Sequence, residues 1–248
     1  MPTQHKDYTL LAVIFAVLLC GLISYFVYPF RSEWPGVPPA PKVHQALAYG
    51  LGDTQFSYRV VTLMLQHRGD IGGRVTSLKD YNYRHVRDWL ELSYALDSRA
   101  NWAPSLAAYY FSATQRKSDI KYLVDYLAKV GNTPTEGQER WRWLAHAVYL
   151  SRFVLNDQER ALRFAQDLSN NATPDMPIWT KHMPAYVISN VGQKKAARDL
   201  ILTIMATDKS LIQADINQSC WYLDNRLREP NDGLEYNPVY QAMCQPIK

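Results

Sequence analysis

His85 and Asp88 lie three residues apart, a spacing that lets a carboxylate orient an imidazole on one helix face. One such pair falls short of a catalytic set or a metal site, each of which needs several converging groups. His44, His67, His146 and His182 are scattered over separate stretches of the chain. Asp119 and Asp125, six apart, would point to nearly opposite sides of a helix, and no other carboxylate pairing suggests glycoside hydrolysis. HExxH, GxSxG, CxxC and the phosphate-binding GxxxxGK loop are all missing. Gly50-Leu51-Gly52 continues as Asp-Thr-Gln without a strand-like stretch before it, so it fails as a dinucleotide loop. Arg68-Gly69-Asp70 closes a helical stretch ahead of Gly72-Gly73. The expectation is a protein that is not an enzyme, with no catalytic residues, cofactor or metal. A small all-helical enzyme without a recognisable motif is the alternative.

The aromatic residues, 17 Tyr and 7 Trp among them, say more. Trp141 and Trp143 are two apart, about 200° around a helix, so one is expected in a core and the other on a surface or in a groove. Trp179, His182 and Tyr186 form a stripe at i, i+3 and i+7. Trp143, Trp179, His182 and Tyr186 are the candidate protein-binding residues, because Trp and Tyr dominate interface hot spots. Packing between helices is the competing reading for each of them. Cys220 and Cys244 are the other chemically notable pair. In an oxidising compartment they would form a disulfide stapling the C-terminal tail to the last helix; two unconnected thiols are the alternative.

The elements that position these residues begin with an uncharged run, Thr9 to Tyr28. Twenty helical residues span about 30 Å, the thickness of a bilayer's hydrocarbon core. The spacing predicts a short tail over 1–8 and a transmembrane helix over 9–28. A cleaved signal peptide fits poorly, since the run is long and Pro41 follows the nearest small-residue site, Val37 to Ala40. Lipidation at Cys20 fits poorly too, with Leu19 before it. Tyr25, Tyr28, Phe30 and Trp34 would form an interfacial aromatic belt. Lys6 on one side against Arg31 and Lys42 on the other leaves orientation open.

Residues 29–42 carry five of the 14 prolines and read as a semi-rigid spacer. The net charge of +4 is mild, with both signs interspersed and no motif for nucleic acid, so no nucleic-acid partner is expected. Beyond residue 43 the period is helical. Phe56, Val60, Leu63, Met64 and His67 form one stripe; Ile120, Leu123, Val124 and Leu127 form another; Ala197, Leu200, Ile201 and Ile204 a third. Asp53, Ser118 and Asp157 stand where N-caps belong, Thr135 with Gln138 suits a capping box, and Gly69, Gly131 and Gly192 suit helix C-termini. Helices are expected at 44–50, 54–68, 83–97, 104–115, 119–130, 137–155, 158–169, 176–190, 193–206 and 209–228, with a kink or break at Pro184. That makes an all-α domain over 43–229, followed by a tail over 230–248.

An internal repeat is legible. Trp143 and Trp179, Ala161 and Ala197, and Leu168 and Ile204 are each 36 residues apart. With Ala161, Ala165 and Leu168 giving a small, small, large helix face, the chain resembles the tetratricopeptide-like helical superfamily, clearly over 137–207 and by helix-pair rhythm over 54–130. The resemblance implies a right-handed α-α superhelix whose first helices line a protein-binding concave face. The expected function is a membrane-anchored scaffold or assembly factor for a membrane or envelope complex, with other proteins as partners and no small-molecule ligand. An accessory structural subunit of a multiprotein membrane machine is the alternative. Helical-repeat domains behind one N-terminal span resemble bacterial envelope assembly factors, and that likeness places the domain in the periplasm and the single span in the inner membrane.

Overall fold

The computed structural model describes residues 4–27, 37–68, 70–71, 74–133, 139–190 and 192–244, without the side chains of 4–10, 26–27, 70–71 and 74. The chain forms two units, Met1–Pro35 and Gly36–Lys248. In the first, α1 runs from Gln4–Val27, longer at its N-terminus than the uncharged run. Its described side chains, 11–25, are exposed along their whole length. Among the described residues no helix is long and apolar enough to cross a membrane. Tyr28, Phe30, Trp34 and most of the proline-rich stretch lie outside the described residues.

Among its described residues the second unit is mainly helical. Its helices are α2 (Val43–Tyr49), α3 (Thr54–Gln66), α4 (Tyr83–Leu96), α5 (Trp102–Ser105), α6 (Ile120–Gly131), α7 (Trp141–Tyr149), α8 (Gln158–Asn170), α9 (Trp179–Ser189), α10 (Lys194–Thr207), α11 (Gln213–Tyr222) and α12 (Pro238–Cys244). One two-residue antiparallel pairing, β1 (Asp70–Ile71) with β2 (Arg74–Val75), interrupts them between α3 and α4. The helices α6 to α10 pack each against the next in chain order, as short connections require.

Local chemistry sets the ends. The carboxylate of Asp53 accepts from Phe56 N at 2.6 Å, and that of Asp157 from Arg160 N at 3.0 Å, filling orphan donors of the first turn. Ser118 lies in a 3-10 turn, Lys117–Asp119, and does not cap α6. Thr135, Gln138 and Gly69 lie outside the described residues. Gly192 has φ +84°, the left-handed conformation that ends a helix. Gly131 serves differently, because α6 ends at an ordinary right-handed Asn132. A methyl group on Gly131 would sit 2.8 Å from Leu144 Cα and nearer still to its amide; the glycine lets α7 approach. Helix α9 continues through Pro184 instead of breaking.

The core follows two of the three stripes. Ile120, Leu123, Val124 and Leu127 are fully buried, as are Ala161, Ala165, Leu168, Ala197 and Ile201. On α3 the buried face is Tyr58, Val61, Thr62 and Leu65, and Phe56 and Leu63 are about half exposed. That helix carries apolar residues on two sides, and the neighbours α2 and α4 cover the side the stripe of larger residues does not occupy. Two further expectations are corrected. Residues 37–42 are not a free spacer: Val37 is buried, its carbonyl accepts from His85 Nδ1 at 2.7 Å, and the Pro38 carbonyl accepts from Trp89 Nε1 at 2.8 Å. Nor is 230–244 a tail, since Leu234 and Tyr240 are buried and α12 packs against α11 and α10.

Candidate functional site

Three helices run on into a wider π turn: Leu106–Tyr110 after α5, Leu150–Val154 after α7, and Leu223–Leu227 after α11. A π turn adds a residue to the turn and releases main-chain groups from their usual partners. Side chains reach carbonyls in two of these turns, and Arg152 of the other turn reaches a carbonyl of α9. The Ala108 carbonyl, where the π turn after α5 passes into a 3-10 turn, accepts from Ser112 Oγ and from His146 Nε2 at 2.9 Å. The Tyr186 carbonyl near the end of α9 accepts from Arg152 Nη1 at 2.9 Å, Ser189 Oγ at 3.0 Å and Asn190 Nδ2 at 2.8 Å. The Leu227 carbonyl accepts from the buried Arg198 at 2.7 Å. Hydrogen bonds from a charged donor contribute about 1.5–3 kcal/mol each, so the Arg152 and Arg198 contacts tie their elements together.

They also place a row of rings. Tyr109 meets the His146 ring edge-on at 5.1 Å, His146 meets Tyr149 at 5.8 Å, and Tyr149 meets Phe153 at 5.2 Å. The Arg152 guanidinium stacks on Phe153 at 4.6 Å, a favourable cation–π geometry. Tyr109, Tyr149 and Phe153 are 67%, 53% and 57% exposed. Burial pushes the His146 imidazole below its ordinary pKa, against the pull of the Ala108 carbonyl. The ring is thus neutral at pH 7, with its Nε2 proton on that carbonyl. Burial likewise lowers the Arg152 pKa, but an arginine retains its charge. The result is a continuous exposed aromatic face over two neighbouring helix pairs. It can bind apolar and aromatic side chains.

The residues singled out from sequence take other places. Trp143 is buried and donates from Nε1 to Asn101 Oδ1 at 3.1 Å. Trp179 is half-buried, edge-on to Trp141 at 5.3 Å. His182 is fully buried. Tyr186 is half-buried, 4.4 Å from the Tyr222 ring. Burial drives the His182 pKa down to about 4, with Asp215 and Asp208 opposing and Lys181 assisting, and drives that of Tyr186 up. Trp143 and His182 pack between helices, while Trp179 and Tyr186 pack on neighbouring rings and keep part of their surface exposed. His85 and Asp88 do not combine either, since His85 holds Val37 and Asp88 pairs with Arg87 at 2.9 Å. The missed residues had a signal: His146, Tyr149 and Phe153 repeat the i, i+3, i+7 spacing of Trp179, His182 and Tyr186.

Cys220 and Cys244 are joined in a disulfide, with Cα atoms 5.4 Å apart. Among the described residues no three His, Cys, Asp or Glu side chains converge where a metal ion would sit. The chain matches no family model, no curated protein and no solved structure.

Proposed function

We propose that this chain is a membrane-anchored helical interaction protein, acting as a scaffold or assembly factor by binding rather than catalysis. The observation that carries the reading is the aromatic face of Tyr109, His146, Tyr149 and Phe153. Large exposed rings held rigidly by neighbouring side chains are what interface hot spots are made of. The tetratricopeptide-like resemblance supports it, since helices α6 to α10 pack in sequence and the 36-residue spacing recurs. The anchor rests on the uncharged run from Thr9 to Tyr28 and on the helix through it. The disulfide between Cys220 and Cys244 supports an oxidising compartment, and hence a periplasmic domain.

Photo-crosslinking residues placed at Tyr149 and Phe153 test the reading in native membranes. Capture of one shared protein from both positions, and not from exposed Glu159 on α8, is the expected result. Absence of any shared product would sink the aromatic face as a docking site. A second reading, an accessory subunit buried by partners on several sides, is favoured by Phe56, Leu63 and Trp221. All are half or more exposed, on helices far from α7 in the chain. Strong crosslinks from α3 and α11 as well as α7 would select it. A C-terminal topology reporter active only inside the cell would overturn the periplasmic assignment.

A further inference from the structure

A cleft of about 340 Å³ opens where the Asp80–Arg84 turn meets Arg116, Asp119 and Tyr122. Its floor is fixed by long-range contacts. The Tyr83 hydroxyl donates to the Phe111 carbonyl at 2.7 Å. Arg84 Nε donates to the Tyr122 hydroxyl at 3.0 Å, which leaves its terminal nitrogens free. Arg116 donates to the Lys79 carbonyl and pairs with Asp119 at 3.3 Å. Around this cleft stand further cations: Arg87 lies 5.7 Å and Lys121 Nζ 5.1 Å from the centre of the Tyr122 ring. With Lys79 and Lys117, the chain neighbours of the lining residues Asp80 and Arg116, the group numbers six cations against the carboxylates of Asp80, Asp88 and Asp119. Among the described residues, Lys79, Arg84, Lys117 and Lys121 have no carboxylate within 4 Å.

We propose that this cleft docks an acidic segment of a partner protein, with Arg84 forking a Glu or Asp side chain of that segment. The basic rim is complementary to the charge of such a segment, and a free guanidinium edge matches a carboxylate in two parallel hydrogen bonds. The lining decides between anionic partners. The Asp80 carboxylate on the lining is an acceptor, which suits a backbone N–H group of a peptide. A phosphate surface, whether lipid or nucleic acid, presents acceptors and no backbone donor to match Asp80. This site is separate from the aromatic face and does not depend on the anchor.

The test measures the anisotropy of a fluorescein-labelled Glu-rich peptide against the intact chain in neutral detergent micelles. Saturable binding is expected, weakened about tenfold by Arg84→Glu and about threefold by Arg84→Lys, which keeps the charge and loses the fork. Arg84 is exposed, so the lysine variant is expected to retain the fold even if the charge reversal does not. The double variant Lys194→Glu with Lys195→Glu, a larger charge change on α10, is expected to weaken binding less than Arg84→Glu. Equal loss from the α10 variant would reduce the effect to net charge and overturn the proposal. So would absence of saturable peptide binding, or binding to phosphatidylglycerol vesicles that Arg84→Glu abolishes while the peptide fails to compete.

Discussion

The indole Nε1 of Trp89 donates to the main-chain carbonyl of Pro38 at 2.8 Å, across 51 residues of sequence. Trp89 is itself almost fully buried, and Arg68 stacks on its ring at 4.8 Å. An indole donating to a carbonyl of an extended, proline-rich strand is the geometry by which aromatic grooves hold polyproline segments. Here the chain uses it on itself. Trp89→Phe removes the donor while keeping most of the ring. The expected loss is about 1–2 kcal/mol, with faster hydrogen exchange and proteolysis at residues 37–42. Unchanged protection of those residues would show that burial of Val37 alone holds the strand.

Gly131 and Gly192 separate two uses of glycine. Gly131→Ala puts a methyl group against the backbone of Leu144, which cannot rotate away, and is expected to cost about 1–3 kcal/mol. Gly192→Ala meets no atom within 4 Å but forces a positive φ, expected to cost about 1 kcal/mol. Denaturant midpoints of the two variants should rank in that order, and the reverse ranking would contradict the close approach of α6 and α7.

His182 makes stability depend on pH. Its folded pKa of about 4 lies below the ordinary 6.5 because burial penalises the imidazolium. The unfolded chain therefore takes up the proton first. The contribution, about 3 kcal/mol, is complete above pH 6.5 and is lost as pH falls towards 4. Asp208 acts lower: burial raises its pKa, but the hydrogen bonds from Lys181 and Ser210 prevail and hold it at about 2. Its contribution is present above about pH 4 and fades as pH falls towards 2. In His182→Leu the slope of unfolding free energy between pH 6.5 and 4 should flatten, and an unchanged slope would remove His182 as its source.

The disulfide closes a loop of 24 residues between α11 and α12. Closing such a loop contributes about 3 kcal/mol. Cys220→Ser with Cys244→Ser should therefore loosen α12 and the Leu234 turn before the rest of the domain, read as early loss of hydrogen-exchange protection over 223–244. The Arg198 contacts to Leu227, Glu229 and Asp232 remain and limit the loosening to that end. A uniform loss of protection over α6 to α10 would show instead that the C-terminal pair supports the entire array.

What the sequence alone determined is local. Periodicity placed the helices, because apolar residues such as Ile120, Leu123, Val124 and Leu127 admit one buried face. Asp53 and Asp157 marked helix starts because a short carboxylate reaches the free amides of its own first turn. Composition gave the uncharged N-terminal run, and the late cysteines marked a pair able to bond. Tertiary structure decided which of two apolar faces on α3 is covered, that residues 37–42 pack into the domain, and that 230–244 closes it. It also decided that Trp143 and His182 face inward while Tyr149 and Phe153 face out. The reason is common to all of these. Spacing fixes the angle between side chains on one helix, but only the neighbouring helix, with its π turns and its donors to released carbonyls, fixes which side is covered.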